Sequence, residues 1–133
     1  MRKVDYLTSE DILLIHSIII DETGGSHGVR DRQALATLGA LPQQIAFGKE
    51  LYPTLFIKAA VYVRGVISAH PFIDGNKRTA MAVADVFLQR NGLRIVTAKG
   101  GVEAFALLII SEKLALEDIA VWLKKNSKRN AEG

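Results

Sequence analysis

The side chains of this chain that could do chemistry are concentrated in one short run, HPFIDGNKR, at residues 70–78. His70 carries an imidazole, which can accept a proton near neutral pH. Asp74 carries a carboxylate, a group that can hold Mg²⁺ already bridged to nucleotide phosphates. Lys77 and Arg78 add two cations suited to phosphate oxygens. The combination indicates a site for a phosphorylated ligand.

The backbone of the same run is expected to form an anion cradle. Pro71 disfavours helical conformation at the residue before it and so ends a helix. Gly75 permits a backbone conformation or a close approach that a Cβ atom would block. A new helix is expected around Asn76, and the first amides of a helix attract anions because they have no acceptor within it. Each residue alone could be an ordinary turn or cap, but together they favour a phosphate site.

The flanking sequence predicts the two helices that hold this run. The first is expected to start at Pro53, and its apolar stripe ends with His70, so the imidazole is expected to point inward. The second is expected to start around Asn76 and to end at Asn91-Gly92. The predicted stripes are Phe56, Ala60, Val63, Ile67 and His70 in the first helix, and Ala80, Val83, Ala84, Phe87 and Leu88 in the second.

Helical patterns fill most of the remaining sequence, which favours an all-α fold with at most a short β-hairpin, as a single domain over residues 1–133. The polar segment at about 124–133 is interpreted as a solvated tail. Further helices are expected from the capping box at Thr8 to near Gly24 (with Ile12, Ile15, Ile18 and Ile19 on one side), and over about 31–41, 101–113 and 116–126. Residues 43–50 are expected to form a turn or short hairpin, and 93–96 a short strand.

Composition limits the class of protein. The chain has 133 residues, 49% hydrophobic and 23% charged, which suits one globular domain. It has no cysteine, which excludes disulfides and thiolate sites and fits the cytoplasm. No uncharged apolar stretch is long enough for a membrane span, so no membrane partner is expected. The net charge is +3, and the only dense group of cationic residues lies at 124–129. This single group does not favour a nucleic-acid partner.

The run at 70–78 resembles the central motif of the Fic/Doc family, whose members transfer part of a nucleoside triphosphate to a protein hydroxyl. Three other segments, GVRD at 28–31, LYPTLFIKAA at 51–60 and FLQRNGLRI at 87–95, resemble the death-on-curing (Doc-type) branch. The resemblance therefore covers most of the chain. The residues that match the motif are His70, Pro71, Phe72, Asp74, Gly75, Asn76, Lys77 and Arg78.

The resemblance implies a role for each matched residue. His70 would take the proton from the target hydroxyl, and Asp74 would hold Mg²⁺. Phe72 would anchor the loop in the core. Gly75, Asn76, Lys77 and Arg78 would bind the phosphates of ATP. The flap that aligns the target by strand addition would consist of Phe47, Gly48, Lys49, Glu50, Leu51 and Tyr52.

Two positions bear on which phosphate moves. Adenylyl-transferring members carry a second arginine where this chain has Met81. Doc-type members also lack it, carry a lysine at the position of Lys77, and transfer the γ-phosphoryl group to a threonine of translation elongation factor Tu. Gly75 is of the general Fic kind, because the Doc prototype has alanine there. The resemblance thus implies a Doc-like serine/threonine kinase, with adenylyl transfer as the alternative; the intact His70 disfavours a module that only binds nucleotide.

The resemblance also bears on control and on the remaining histidine and arginine side chains. The chain lacks the Ser/Thr-x-x-x-Glu-Gly/Asn sequence of autoinhibited Fic proteins. Inhibition is therefore expected from an antitoxin whose disordered segment folds on binding. His16, in an apolar helix, is expected to be a core histidine or to support the site. Arg30 is expected to tie down its loop, and His27 is given no catalytic role.

Overall fold

The computed structural model describes residues 3–130, and the structural statements below concern that part of the chain. It is mostly helical, as predicted, and its described helices include none that is long and apolar enough to cross a membrane. The helices are α1 (Ser9–Thr23), α2 (Arg32–Ala40), α3 (Leu55–Ala69), α4 (Asn76–Arg90), α5 (Gly101–Ser111) and α6 (Leu116–Lys125), with a 3₁₀ turn at Leu41–Gln43. Two antiparallel pairs are formed by β1 (Ile45–Ala46) with β2 (Lys49–Glu50) and by β3 (Leu93–Ile95) with β4 (Ser127–Arg129).

Helices α3 and α4 form the centre of the fold and hold the 70–75 loop between them. Small side chains such as Ala59, Ala80 and Ala84 are fully buried, so the two helices can approach closely. Larger side chains such as Phe87 fill the remaining volume, and burying each contributes roughly 1.5–3 kcal/mol. α6 packs against α3, and α1 packs against α4. The stripe predicted for α4 is confirmed, because all of its members are buried: Ala80, Val83, Ala84, Phe87 and Leu88.

The predicted capping box begins α1. The hydroxyl of Thr8 accepts the N–H of Asp11 at 3.1 Å, and Oδ2 of Asp11 accepts the N–H of Thr8 at 2.8 Å. The predicted apolar side of this helix is partly wrong, because Ile18 is exposed. The buried residues of α1 are Ile12, His16 and Ile20, which lie four residues apart on one face of the helix.

Helix α3 begins two residues later than predicted. Thr54 is its N-cap, and the Thr54 hydroxyl accepts the N–H of Ile57 at 3.2 Å. Pro53 therefore precedes the cap instead of occupying the first helical position. The Thr54 hydroxyl supplies a hydrogen-bond acceptor for a free N–H group of the first helical turn. The helix therefore begins after Thr54 and not at Pro53.

The polar C-terminal segment is more ordered than predicted. α6 continues to Lys125, and Ser127–Arg129 pairs antiparallel with Leu93–Ile95. The segment predicted as a solvated tail at about 124–133 therefore has regular backbone structure as far as Arg129, while the side chains of Lys124, Lys125, Lys128 and Arg129 are exposed. Pairing satisfies the backbone groups even though the side chains of this strand are polar. Residues 131–133 lie outside the described residues.

A β-hairpin lies between α2 and α3, where the sequence predicted a turn or short hairpin. Its two-residue loop is Phe47-Gly48, and both residues have positive φ (53° and 76°), as a type I′ hairpin turn requires. The side chain of Phe47 is fully exposed at the tip. The N–H of Leu51 donates to the carbonyl of Gln44 at 2.9 Å and closes the base of the hairpin.

A buried lysine ties this hairpin to α3. Lys58 is 1% exposed, and its Nζ donates to Oε1 of Glu50 at 2.7 Å and to the carbonyl oxygen of Tyr52. Burial alone would lower the pKa of Lys58, but the hydrogen bond to Glu50 and the contact with Tyr6 outweigh it, so the pKa is raised. The ammonium stays charged and holds the hairpin through charge-assisted hydrogen bonds.

We expect Lys58→Met to loosen the hairpin and to leave the rest of the fold in place. Methionine fills a similar volume, and Glu50 is half exposed, so its carboxylate can be solvated when Lys58 is replaced. The contacts with Glu50 and Tyr52 are lost, so backbone amides over 45–51 should exchange with deuterium about 10-fold faster or more. The control is Lys49→Met, at an exposed lysine of the same hairpin. Equal protection in Lys58→Met and the wild type would contradict the anchoring role.

Candidate active site

His70 ends α3 in a left-handed conformation, with φ 48° and ψ 58°. This turn moves the imidazole out of the buried stripe, and the side chain is exposed. The prediction that the imidazole points inward is therefore wrong, because a stripe derived from helical spacing assumes helical dihedral angles up to its last residue. An exposed imidazole at this position can reach a group on another molecule.

The segment before α2 braces the loop from outside. The carbonyl oxygen of Pro71 accepts the N–H groups of Arg30 at 2.7 Å and Asp31 at 3.1 Å. The guanidinium of Arg30 donates to the carbonyls of Ala69 and His70, both at 2.7 Å. Arg30 thus satisfies carbonyls that the end of α3 leaves without a helical partner. The prediction that Arg30 ties its loop down is confirmed.

The side chain of Asn76 holds the loop from inside. Its Oδ1 accepts the N–H of Phe72 at 3.1 Å, and its Nδ2 donates to the carbonyl oxygen of Phe72 at 2.9 Å. Nδ2 also lies 3.4 Å from Nδ1 of His70, so the same amide orients the imidazole. Asn76 is 6% exposed and Phe72 is fully buried. The side-chain amide that the sequence assigned to phosphate is therefore engaged within the protein, and the backbone N–H of Asn76 is the group at the helix start.

His16 supports the loop from α1. Its ring stacks on the Phe72 ring, with centroids 3.8 Å apart and an angle of 3° between the planes. Its Nε2 lies 2.8 Å from the carbonyl oxygen of Asp74, so the neutral ring donates a hydrogen bond there. Burial lowers the pKa of His16, although the hydrogen bond with Asp74 opposes this shift. The structure confirms a buried, supporting histidine and identifies Phe72 as the core anchor that the sequence predicted.

The carboxylate of Asp74 is held open to solvent in its ionised form. Oδ2 accepts the N–H of Ser26 at 3.1 Å, and Oδ1 accepts the N–H of Gly75 at 2.8 Å. These two hydrogen bonds, Ser26 first, lower the pKa of Asp74. The side chain is 47% exposed, so lone pairs remain available to a ligand. The sequence did not predict the contact with Ser26, which lies 48 residues away and depends on the packing of α1.

Arg78 is fixed against the C-terminal end of α1. Its Nη1 donates to the hydroxyl of Thr23 and, at 3.1 Å, to the carbonyl oxygen of Gly24. Its Nη2 lies 4.0 Å from Oδ1 of Asp74. The side chain remains 38% exposed. The guanidinium is thus held in one place before any anion binds, which lowers the ordering cost of binding one.

Gly75 makes the N-terminus of α4 accessible. Its φ is +74°, and an added Cβ atom would lie 2.9 Å from Cδ1 of Ile20. The predicted need for glycine here is confirmed on both grounds, conformation and space. Within the described residues no side chain caps this N-terminus, and Lys77 is exposed beside it. The first amides of α4 and the two cations therefore form a region suited to an anion.

A cavity of about 450 Å³ opens beside this N-terminus. Lys77 and Arg78 lie on one wall, and Met81, Ile19 and Val102 make much of the rest apolar. Asp85 and Glu103 also belong to the lining. A mainly apolar cavity with a few charged groups is typical of small-ligand sites. Its position next to the anion region gives a phosphorylated ligand room for the rest of its structure.

The metal-binding capacity of the site is limited to one carboxylate. Within residues 3–130 no group of three or more His, Cys, Asp or Glu side chains could hold a metal ion. Asp74 alone suits Mg²⁺ that is coordinated mainly by phosphates and water, because Mg²⁺ usually binds proteins through one or two carboxylates and keeps its other ligands. The residues present therefore fit a metal that arrives with the phosphorylated ligand.

The structure brings the residues of the 70–78 run together, and the base of the predicted flap lies near the start of α3. Glu50 and Tyr52 contact Lys58 near the start of α3, whereas His70 follows the last residue of that helix. The twelve positions between Lys58 and His70 correspond to about 18 Å along the helix axis. The role of residues 47–52 in aligning a target stays a prediction.

Comparison with known proteins agrees with this geometry. The model of the Fic/DOC family matches residues 6–88, which span α1 to α3, the loop and most of α4. The chain belongs to the Fic/Doc family. It is 41% identical over 91 residues to Toxin Doc of Mycolicibacterium smegmatis, an alignment that covers 68% of each protein. It is 33% identical over 91 residues to Protein kinase doc of Escherichia phage P1, covering 68% of this chain and 71% of that protein.

In this Fic/Doc chain, Asn76→Ala should destabilise the fold much more than Lys77→Ala. Removing the amide leaves the buried N–H and carbonyl of Phe72 without partners, and each such loss costs about 1–3 kcal/mol. Lys77 is exposed, so its truncation should change the free energy of unfolding by less than about 0.5 kcal/mol. Urea denaturation of both variants measures the difference. Equal stabilities would mean that Asn76 does not hold the loop.

Proposed function

We propose that this chain is a Doc-like protein kinase that transfers the γ-phosphoryl group of ATP to a serine or threonine hydroxyl of another protein. The observation that carries the proposal is the uncapped N-terminus of α4, which lies beside the exposed His70, the ionised Asp74 and the fixed Arg78. Membership of the Fic/Doc family supports a transferase. The relative named Protein kinase doc supports phosphoryl transfer in particular.

His70 would act as the general base. An unprotonated ring nitrogen accepts the proton of the target hydroxyl while that oxygen bonds to the γ-phosphorus, and the bond from phosphorus to the bridging oxygen breaks to release ADP. The exposure of His70 supports a target as large as a folded protein, because the base lies at the surface.

The anion region would bind and stabilise the transferring group. The amides at the start of α4, Lys77 and Arg78 would donate to phosphate oxygens as charge develops on them. Arg78 is already fixed by Thr23 and Gly24, which supports a preorganised site. Asp74 would hold Mg²⁺, which when bound neutralises phosphate charge. The cavity of about 450 Å³ would hold the remainder of the nucleotide.

Met81 supports γ-phosphoryl transfer over adenylyl transfer. Its side chain is 2% exposed and has no donor or charge with which to clamp a second phosphate. Lys77 instead adds a compact cation at the mouth of the α4 N-terminus, where a terminal phosphate would sit. Gly75, the residue that resembles the general Fic motif, is explained by its own backbone and by Ile20, so it does not require adenylyl transfer.

The biological setting of the proposal comes from the Doc relatives. One of them is named a toxin. We propose that this chain is likewise the toxin of a toxin–antitoxin pair in the cytoplasm, that translation elongation factor Tu is its target, and that phosphorylation of this factor blocks translation. Its inhibitor would be an antitoxin whose disordered segment folds on this domain.

The choice between the two transfers can be tested with labelled ATP. With purified elongation factor Tu, or with a bacterial lysate, label from the γ-phosphate should appear on protein and label from the α-phosphate should not. Removal of Mg²⁺ by a chelator should abolish the labelling, because without the metal the anionic Asp74 would repel the phosphate groups. Transfer of the α-label would make the chain an adenylyltransferase despite Met81.

The base can be tested with two histidine variants. His70→Ala should lower the rate of transfer by about 10²–10⁴-fold, the usual cost of losing a general base. Because His70 is exposed, the thermal midpoint should change little. His27→Ala is the matched control, since His27 is also exposed, its Nε2 pairs with Asp21 and its ring lies edge-on to His16 without contacting the 70–75 loop by hydrogen bonds. Near wild-type transfer by His70→Ala would refute the mechanism.

A further inference from the structure

A second cavity, of about 720 Å³, lies between α2 and α3, with Leu116 at the start of α6 also in its lining. Its α3 lining is spaced as one helical face, and α2 forms the facing wall. We name this cavity the α2–α3 groove. Its lining on α3 consists of Val61, Arg64, Gly65, Ser68 and Ala69.

The lining of the groove includes Tyr52 of the predicted flap and Ala69, the residue before His70. Ala69 lies at one end and is followed directly by His70. Tyr52, the last residue of the predicted flap, lines the groove as well, and its carbonyl is fixed by Lys58. A chain lying in the groove would therefore pass from the hairpin to the general base without leaving the surface of α3.

The lining of the groove suits polypeptide backbone as well as side chains. Gly65 lets Leu38 of α2 pack directly on α3, because a Cβ atom added there would collide with Cδ2 of Leu38. The lining of the groove includes apolar atoms of Leu38 and Val61 and the hydroxyls of Thr37 and Ser68. Hydroxyls in such positions can bond the N–H and C=O groups of an extended chain.

The groove has two charged side chains in its lining, Arg64 and Asp31, and their surroundings differ. Arg64 is exposed and forms no hydrogen bond or ion pair with any other described residue. The other charged side chain of the lining, Asp31, accepts the N–H of Ala34 at 3.0 Å and caps α2. An exposed guanidinium in a concave site favours a carboxylate, which it can bind through two hydrogen bonds.

We propose that the α2–α3 groove binds an extended segment of the acceptor protein and that Arg64 selects an acidic side chain in that segment. Arg64 and His70 are six positions apart, which is about 9 Å along α3. An extended chain covers this distance in about three residues. The acidic side chain therefore lies about three residues from the acceptor hydroxyl. This inference rests on the proposed protein-directed transfer, and it assigns to Arg64 a role in specificity.

The test compares Arg64→Glu with Arg129→Glu, a reversal at an exposed arginine of β4 outside the groove. With elongation factor Tu as the acceptor probe and γ-labelled ATP, Arg64→Glu should raise KM for the acceptor about 10-fold or more, because attraction becomes repulsion. Its kcat, its hydrolysis of ATP without acceptor and its thermal midpoint should equal those of the wild type. Arg129→Glu should match the wild type throughout.

Charge reversal in the acceptor completes the test. Acidic residues within about four positions of the labelled hydroxyl are changed to lysine one at a time. One of these acceptors should be a poor substrate for the wild type and should regain efficient labelling by Arg64→Glu. An unchanged KM for Arg64→Glu, or the absence of any compensating acceptor, would overturn the role of Arg64. So would loss of ATP hydrolysis or of stability, since both would indicate a structural residue.

Two further outcomes separate this inference from the proposed function and from another occupant. If the wild type transfers no label to any protein, the proposed function fails and the groove assignment falls with it. If Arg64→Glu labels the acceptor normally but escapes neutralisation by an antitoxin, the groove holds the antitoxin and the acceptor assignment is wrong. Normal ATP hydrolysis with weakened acceptor binding is the one combination that supports the proposal.

Discussion

The side-chain amide of Asn76 is the contact on which the arrangement of the site depends. It satisfies both backbone groups of the buried Phe72 and also contacts the catalytic candidate, His70. Because Asn76 is itself the first residue of α4, the loop conformation and the start of the anion-binding helix are one structural unit. A buried amide with all its partners is rigid, since every alternative leaves polar groups unpaired.

In the proposed kinase, that unit would let a small domain bind a highly charged ligand with few charged residues. The backbone supplies part of the positive potential through the uncapped end of α4, and Arg78 is held by α1 before a ligand arrives. Asp74 is kept ionised by the N–H groups of Ser26 and Gly75 and balances Arg78 in the free protein. Preorganised dipoles of this kind lower the reorganisation that accompanies charge development.

The sequence predicted the helices and the chemistry of the 70–78 run because both depend on local patterns. Apolar spacing identified α4, and the combination of His70 with Asp74 and two cations indicated a phosphate site. What it did not predict depends on contacts between distant segments. The exposed orientation of His70 follows from a left-handed helix end, and β4 forms only because β3 offers a partner edge. The burial of Lys58 likewise depends on a hairpin whose Glu50 carries the opposite charge.

In the proposed kinase, the two cavities would give ATP and the acceptor protein separate routes to one loop. The smaller is lined by α1, α4 and α5 and contains Lys77 and Arg78, whereas the larger is lined mainly by α2 and α3 and contains Arg64. They share no lining residue, and the 70–75 loop joins the helices on which they lie. Phosphate binding and acceptor selection can therefore vary independently, since a change in one cavity leaves the walls of the other intact. In such an arrangement the loop and α3 would stay constant, and the linings of the two cavities would determine which nucleotide and which acceptor protein bind.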